Sequence, residues 1–225
     1  MLRLPQSALF ESYAFSKLFP RLIEEDKWDE YDYIGTISWK APLKFARAFF
    51  FGPFNMSDII AQTPEGTDVI ALVGQQGEYN LLERAEDAHP RFGEAWRGLL
   101  RAFDMFTPEQ IETNGYTAFY CNYWLAKPAH VKTFIPFISK AQRLLINLPT
   151  IQEALWTDAK YLNNTKIARE VFGLNYYPNH PFLLERLTPF YFGVQNLKIF
   201  VYKKFGVVTD ALPIESIQSS TRKEG

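Results

Sequence analysis

Tyr31-Asp32-Tyr33-Ile34-Gly35-Thr36-Ile37-Ser38-Trp39 and, further on, Asp68-Val69-Ile70-Ala71-Leu72-Val73 are the stretches that carry the fold class. The first is short, aromatic and β-branched with polar flanks, so it reads as a buried strand ending at Ser38-Trp39-Lys40. The second follows the turn Pro64-Glu65-Gly66-Thr67 and reads as a strand stopped by Gly74. Two strand signals flanking an intervening helical or irregular segment point to an α/β unit. A third strand-like run spans Tyr116 to Ala126 with Asn122 in its middle, and Pro128 opens a helix through Leu145. Helical spacing recurs over 8–25, crossed by Pro20, and over 151–172. It recurs between Arg91 and Phe106, where Phe92, Ala95, Trp96, Leu99, Leu100 and Phe103 share a face and Pro108 closes the segment. Pro178 and Pro181 bracket a turn before Phe182-Leu183-Leu184-Glu185-Arg186-Leu187. The expectation is one α/β domain over 1–215, built on a single mixed sheet flanked by helices, with a polar tail over 216–225.

Composition narrows the function classes. The 225 residues carry 24 Lys+Arg against 25 Asp+Glu, a net charge of -1, so polyanions are not attracted in general and nucleic acid is not an expected partner. Cys121 is the only cysteine, which rules out an internal disulfide and fits a reducing compartment, with the cytoplasm as the expected location. The most apolar run, Ala48 to Phe54, is far shorter than the roughly 20 residues of a spanning helix, and no signal-peptide core opens the chain. Aromatic content stands out, with 20 Phe, 12 Tyr and 5 Trp. Such rings suit a large core and equally suit stacking against sugars or bases.

Several common chemistries are excluded by motif. No Gly-x-x-x-x-Gly-Lys-Ser/Thr loop, Gly-x-Gly-x-x-Gly turn or Gly-x-Ser-x-Gly elbow is present, and Gly74-Gln75-Gln76-Gly77 has neither the spacing nor the context. Cys121, His89, His130 and His180 lack paired metal-ligand spacing.

Three segments carry polar groups in apolar surroundings. They are Tyr31 to Lys40, Phe119-Tyr120-Cys121-Asn122-Tyr123-Trp124-Leu125-Ala126-Lys127, and Tyr176-Tyr177-Pro178-Asn179-His180-Pro181-Phe182-Leu183-Leu184-Glu185-Arg186-Leu187. In this order the trio resembles the lipopolysaccharide- and capsule-type glycosyltransferases of bacteria and large DNA viruses. The resemblance spans about residues 10–195, and the late ERL element is its most specific part.

The resemblance implies a GT-A-like nucleotide-binding sandwich that moves a sugar from a nucleotide-sugar donor to a growing surface glycan or polysaccharide, on a glycan or lipid-linked acceptor. Such chemistry needs a carboxylate for the acceptor hydroxyl and cationic help at the leaving diphosphate. Glu185 is the candidate base or acceptor-hydroxyl binder, and Arg186 its charge partner or a phosphate contact. Asn122 is a candidate amide contact to the sugar. Trp39 and Lys40, at a strand end, are candidates for stacking and for phosphate. The superfamily's usual Asp-x-Asp metal motif is absent. Either Lys/Arg serve the leaving group without metal, or a lone carboxylate such as Asp68, with His180, holds Mn²⁺ or Mg²⁺. The alternative is a catalytically inactive glycan- or nucleotide-binding module of the same fold.

Overall fold

Val69–Gln75 (β2) is the axis of the sheet, and its residues Val69 to Val73 are all fully buried. A strand apolar on both faces must be covered on both. In the computed structural model, which describes residues 15, 19–24, 28–37, 55–75, 80–112, 116–161 and 165–204, both coverings are present. On one face Val69 and Ala71 join a large cluster with Trp96, Trp124, Phe134 and Phe192. On the other, Ile70 and Leu72 meet Ile59 and Tyr123, with Tyr33, Ile37, Leu125 and Phe200 packed alongside.

The sheet is single and mixed, as expected from the sequence, and five strands of it stand among the described residues. Ile199–Lys204 (β5) runs parallel to β2, from Val69 opposite Ile199 to Gly74 opposite Lys204. The other edge of β2 is antiparallel, to Ala118–Phe119 (β3) at Gly74 and Gln75 and to Trp124–Ala126 (β4) at Val69 to Ala71. Ile34–Thr36 (β1) adds outside β4, pairing Ile34 with Ala126 and Thr36 with Trp124. Gly35 is required there, because a Cβ would collide with the Trp124 carbonyl oxygen and lie 2.7 Å from Leu125 Cα. The Tyr31 to Trp39 strand is thus regular only over three residues of its described part, and its end at Ser38, Trp39 and Lys40 lies outside the described residues.

Nine α-helices stand among the described residues. They are Phe19–Glu24 (α1), Met56–Gln62 (α2), Leu81–Ala88 (α3), Phe92–Arg101 (α4), Pro108–Glu112 (α5), Pro128–Asn147 (α6), Gln152–Leu155 (α7), Lys166–Phe172 (α8) and His180–Val194 (α9). Of the 8–25 stretch, Phe15 and Phe19–Glu24 are described and helical, with Pro20 the second residue of α1. α4 buries Phe92, Ala95, Trp96, Leu99 and Leu100, the stripe its periodicity implied. α6 starts at Pro128, as read, and keeps the internal Pro136 on its exposed side. None of these helices is long and apolar enough to cross a membrane.

The structure corrects several boundaries. Gly74 does not stop β2 but continues it, since a Cβ there would lie 2.5 Å from the Ala118 carbonyl oxygen. Pro108 opens α5 rather than only closing the helix before it. The 151–172 stretch is two helices, α7 and α8, separated by an irregular passage in which Ala159 N–H bonds the Tyr177 carbonyl at 2.8 Å. α9 begins at His180, so Pro181 lies in its first turn instead of bracketing a loop. The 216–225 tail lies outside the described residues.

Candidate functional site

The 116–126 run is not one strand. Four residues, 120–123, span only two positions of β2, with Leu72 N–H bonded to Tyr123 O and Tyr120 N–H to Val73 O. The two surplus residues, Cys121 and Asn122, take left-handed backbone at φ 63° and 51°. For Cys121 this conformation costs roughly 1–2 kcal/mol, while asparagine adopts it more readily, so a bulge of this kind persists where its surroundings hold it.

Two of the three segments quoted above reach in to hold it. Thr36 of β1 donates its hydroxyl to the Asn122 carbonyl at 2.5 Å. Thr188 of α9 donates to Asn122 Oδ1 at 2.9 Å, inside the core. Glu185, one turn earlier on α9, accepts the Cys121 N–H through Oε1. Its Oε2 takes Arg186 Nη1 at 2.9 Å, and the guanidinium carbon of Arg186 stands 5.1 Å from the Tyr120 ring centre. The two side chains keep only 19% and 14% exposure. Bulge, carboxylate and guanidinium therefore form one half-buried polar cluster.

His89 belongs to the same neighbourhood. It follows α3, stacks on Phe182 at 4.3 Å and bonds the Ala159 carbonyl through Nδ1 at 2.9 Å. Phe182 precedes Glu185 and Arg186 by three and four residues on α9, so all three share one side of the helix. Burial lowers the His89 pKa below its usual value and the Arg186 charge lowers it further, against the Ala159 hydrogen bond and Glu185.

The remaining candidates lie elsewhere or outside the described residues. Trp39 and Lys40 are among the latter. Asn122 is in the cluster, but with 5% exposure and its Oδ1 taken by Thr188 it tethers the bulge. Asp68 sits just before β2, where Oδ1 takes Lys127 Nζ at 2.8 Å and Oδ2 takes the Lys198 N–H at 3.0 Å. Burial pushes its carboxyl upward, but the bonds from Lys127 and Lys198 and the charges of Lys127 and His130 outweigh it and hold the pKa below the usual range. His180 is buried, stacked on Trp156 at 5.7 Å and edge-on to Phe172, and burial lowers its pKa to about 4. These residues do not fit a divalent cation. Asp68 is engaged by a cation and a backbone donor, His180 is walled by rings, and no three His, Cys, Asp or Glu groups gather for a metal among the described residues.

Thr36, Thr188, Tyr120 and His89 were not singled out from the sequence. The signal for Thr188 was a hydroxyl inside the apolar run Leu187-Thr188-Pro189-Phe190, since a buried hydroxyl must find a partner. A separate cleft of about 290 Å³, lined by Arg101, Asp104, Phe106 and Ile111 among others, contains none of the candidate residues. The chain matches no protein-family model, no curated protein and no solved structure.

Proposed function

We propose that the chain is a glycosyltransferase that moves a sugar from a nucleotide-sugar donor to a hydroxyl of a glycan or lipid-linked acceptor. One observation carries this reading. Segments far apart in sequence, the Tyr31–Lys40 strand, the Cys121-Asn122 run and the late Glu185-Arg186 element, meet at a single strained bulge. Backbone strain held by several partners is a mark of functional sites. In this reading Glu185 orients the acceptor hydroxyl, and Arg186 supplies positive charge to the leaving diphosphate. The metal-independent form of the reaction is the one proposed, because Asp68 and His180, the two metal candidates, do not fit an ion, and no step runs through one. Within the GT-A-like class the chain stands as a divergent member, since among the described strands only β2 and β5 run parallel.

Thermal-shift titration with UDP-, GDP-, dTDP- and CMP-sugars, with and without Mn²⁺, tests it. A ligand at 100 times its Kd stabilises the native state by about 2.7 kcal/mol. The expected result is a base-selective rise in Tm that does not need Mn²⁺, with sugar transfer to an acceptor glycan. No shift with any of the four overturns the donor reading. Binding without donor hydrolysis or transfer leaves the inactive binding module.

A further inference from the structure

Glu185 is the obvious proton acceptor for such a transfer, yet both of its oxygens already accept hydrogen bonds, from Cys121 and Arg186. With each oxygen held by a fixed donor, Glu185 is suited to positioning, and the neighbouring His89 imidazole offers a second base. Ala159 O can only accept, so Nδ1 of His89 carries the proton and Nε2 is the basic nitrogen. Nε2 takes no hydrogen bond from the described residues. Exposed Tyr161 packs on Phe182 at 4.8 Å, and Phe182 stacks on His89. An aromatic shelf, of the kind the apolar face of a sugar ring rests on, thus leads to the imidazole.

We infer that His89 takes the acceptor hydroxyl's proton in the proposed transfer, and that Glu185 is a positioning residue; this rests on the glycosyltransferase reading. The acceptor oxygen loses its proton to Nε2 and forms a bond to the anomeric carbon. The bond from that carbon to the diphosphate oxygen breaks, and the nucleoside diphosphate leaves with the electron pair. The imidazolium then returns its proton to water. Burial and the Arg186 charge keep the ring neutral at pH 7, against the opposing Ala159 bond and Glu185, so it is ready to act as a base.

The test compares His89→Asn, which keeps a donor for Ala159, with Glu185→Gln and the unaltered chain, using the nucleotide-sugar that raises Tm. In His89→Asn, kcat should fall about 10²–10⁴-fold with the donor-induced Tm shift unchanged. In the unaltered chain kcat/KM should fall as pH drops through the imidazole's titration. That acid limb should persist in Glu185→Gln, whose main change is a raised acceptor KM, and vanish in His89→Asn. Long-range ¹⁵N NMR of the unaltered chain should show the Nδ1–H tautomer, a readout that stands even if a variant fails to fold. An Nε2–H tautomer, or an acid limb that survives in His89→Asn and disappears in Glu185→Gln, overturns the assignment. Absence of binding and transfer by the unaltered chain sinks the underlying reading and His89's role with it. Transfer that persists at full rate in His89→Asn removes only the role.

Discussion

Two histidines of one chain, His89 and His180, are both about 5% exposed yet differ in what they touch. His89 has a carbonyl on Nδ1 and charged neighbours, whereas His180 has rings on its faces and an Nδ1 sealed without a partner. For His180, burial lowers the pKa from 6.5 to about 4. The unfolded chain then binds the extra proton first as pH falls below 6.5. Folded stability is therefore whole above that value and declines down to about pH 4, where the loss levels off. At pH 4.5 the His180 share amounts to about 2–3 kcal/mol. Urea unfolding at pH 7.5 and 4.5 should show that much acid destabilisation in the native sequence and clearly less in His180→Phe, which keeps an aromatic ring without the titration. Equal pH dependence in the two would contradict the account. From sequence, His180 was a metal candidate through the resemblance alone, as a histidine shortly before the ERL element. That Trp156 would cover it depends on a contact between residues 24 positions apart, which no local pattern records.

The elements legible in the sequence were those with a long or regular apolar pattern. α4 shows a helical stripe that packs among other helices, and β2 shows a continuous apolar run because it lies between two layers. β5 and α3 were missed. The Ile199-Phe200-Val201-Tyr202 run is short and gains its meaning only from pairing with β2, and α3 is an eight-residue helix whose buried face is Leu81, Leu82 and Ala85 alone. The bulge between β3 and β4 was missed for a different reason: Asn122 is a residue that tolerates left-handed backbone, but Cys121 beside it is not, and the run around them is apolar and strand-like. Its support is tertiary, and removing one prop should be measurable. Thr188→Val keeps the shape of a fully buried side chain but leaves Asn122 Oδ1 without its donor. A loss of about 1–3 kcal/mol is expected, read from urea unfolding. The donor-induced Tm shift should weaken too, because Thr188 lies one turn from Glu185. A Val variant of unchanged stability would show that the bulge stands without this tether.

At the scale of the whole molecule, three of the polar groups singled out in the sequence meet in one cluster. Glu185, Arg186 and Asn122 were singled out as polar groups in apolar runs and do come together, because buried polar groups must satisfy one another. Asp68 was singled out as a carboxylate opening a strand, and its role is closure of the sheet. It joins the start of β2 to Lys127, where β4 passes into α6, and to Lys198, 130 residues along the chain and just before β5. Its backbone repeats the link, with Asp68 N–H bonded to Lys198 O at 2.9 Å and Lys127 N–H to Asp68 O at 3.0 Å. Removing only the side chain therefore loosens the sheet's end without dissolving it. With the carboxylate 23% exposed, Asp68→Ala should lower stability by about 1 kcal/mol. The folded pKa is depressed, so this stabilisation is present above the usual carboxylate range and is lost as pH falls through the lower folded value. High salt should erase the Lys127 part of the difference and spare the Lys198 part, which is a hydrogen bond to backbone. Asp68→Asn should recover the salt-insensitive part, because one amide oxygen still accepts the Lys198 N–H. Urea unfolding at pH 7, in low and in 1 M salt, separates the two contributions. If Asp68→Ala instead left stability untouched and abolished a Mn²⁺-dependent Tm shift, Asp68 would be a metal ligand and the closure role would fall.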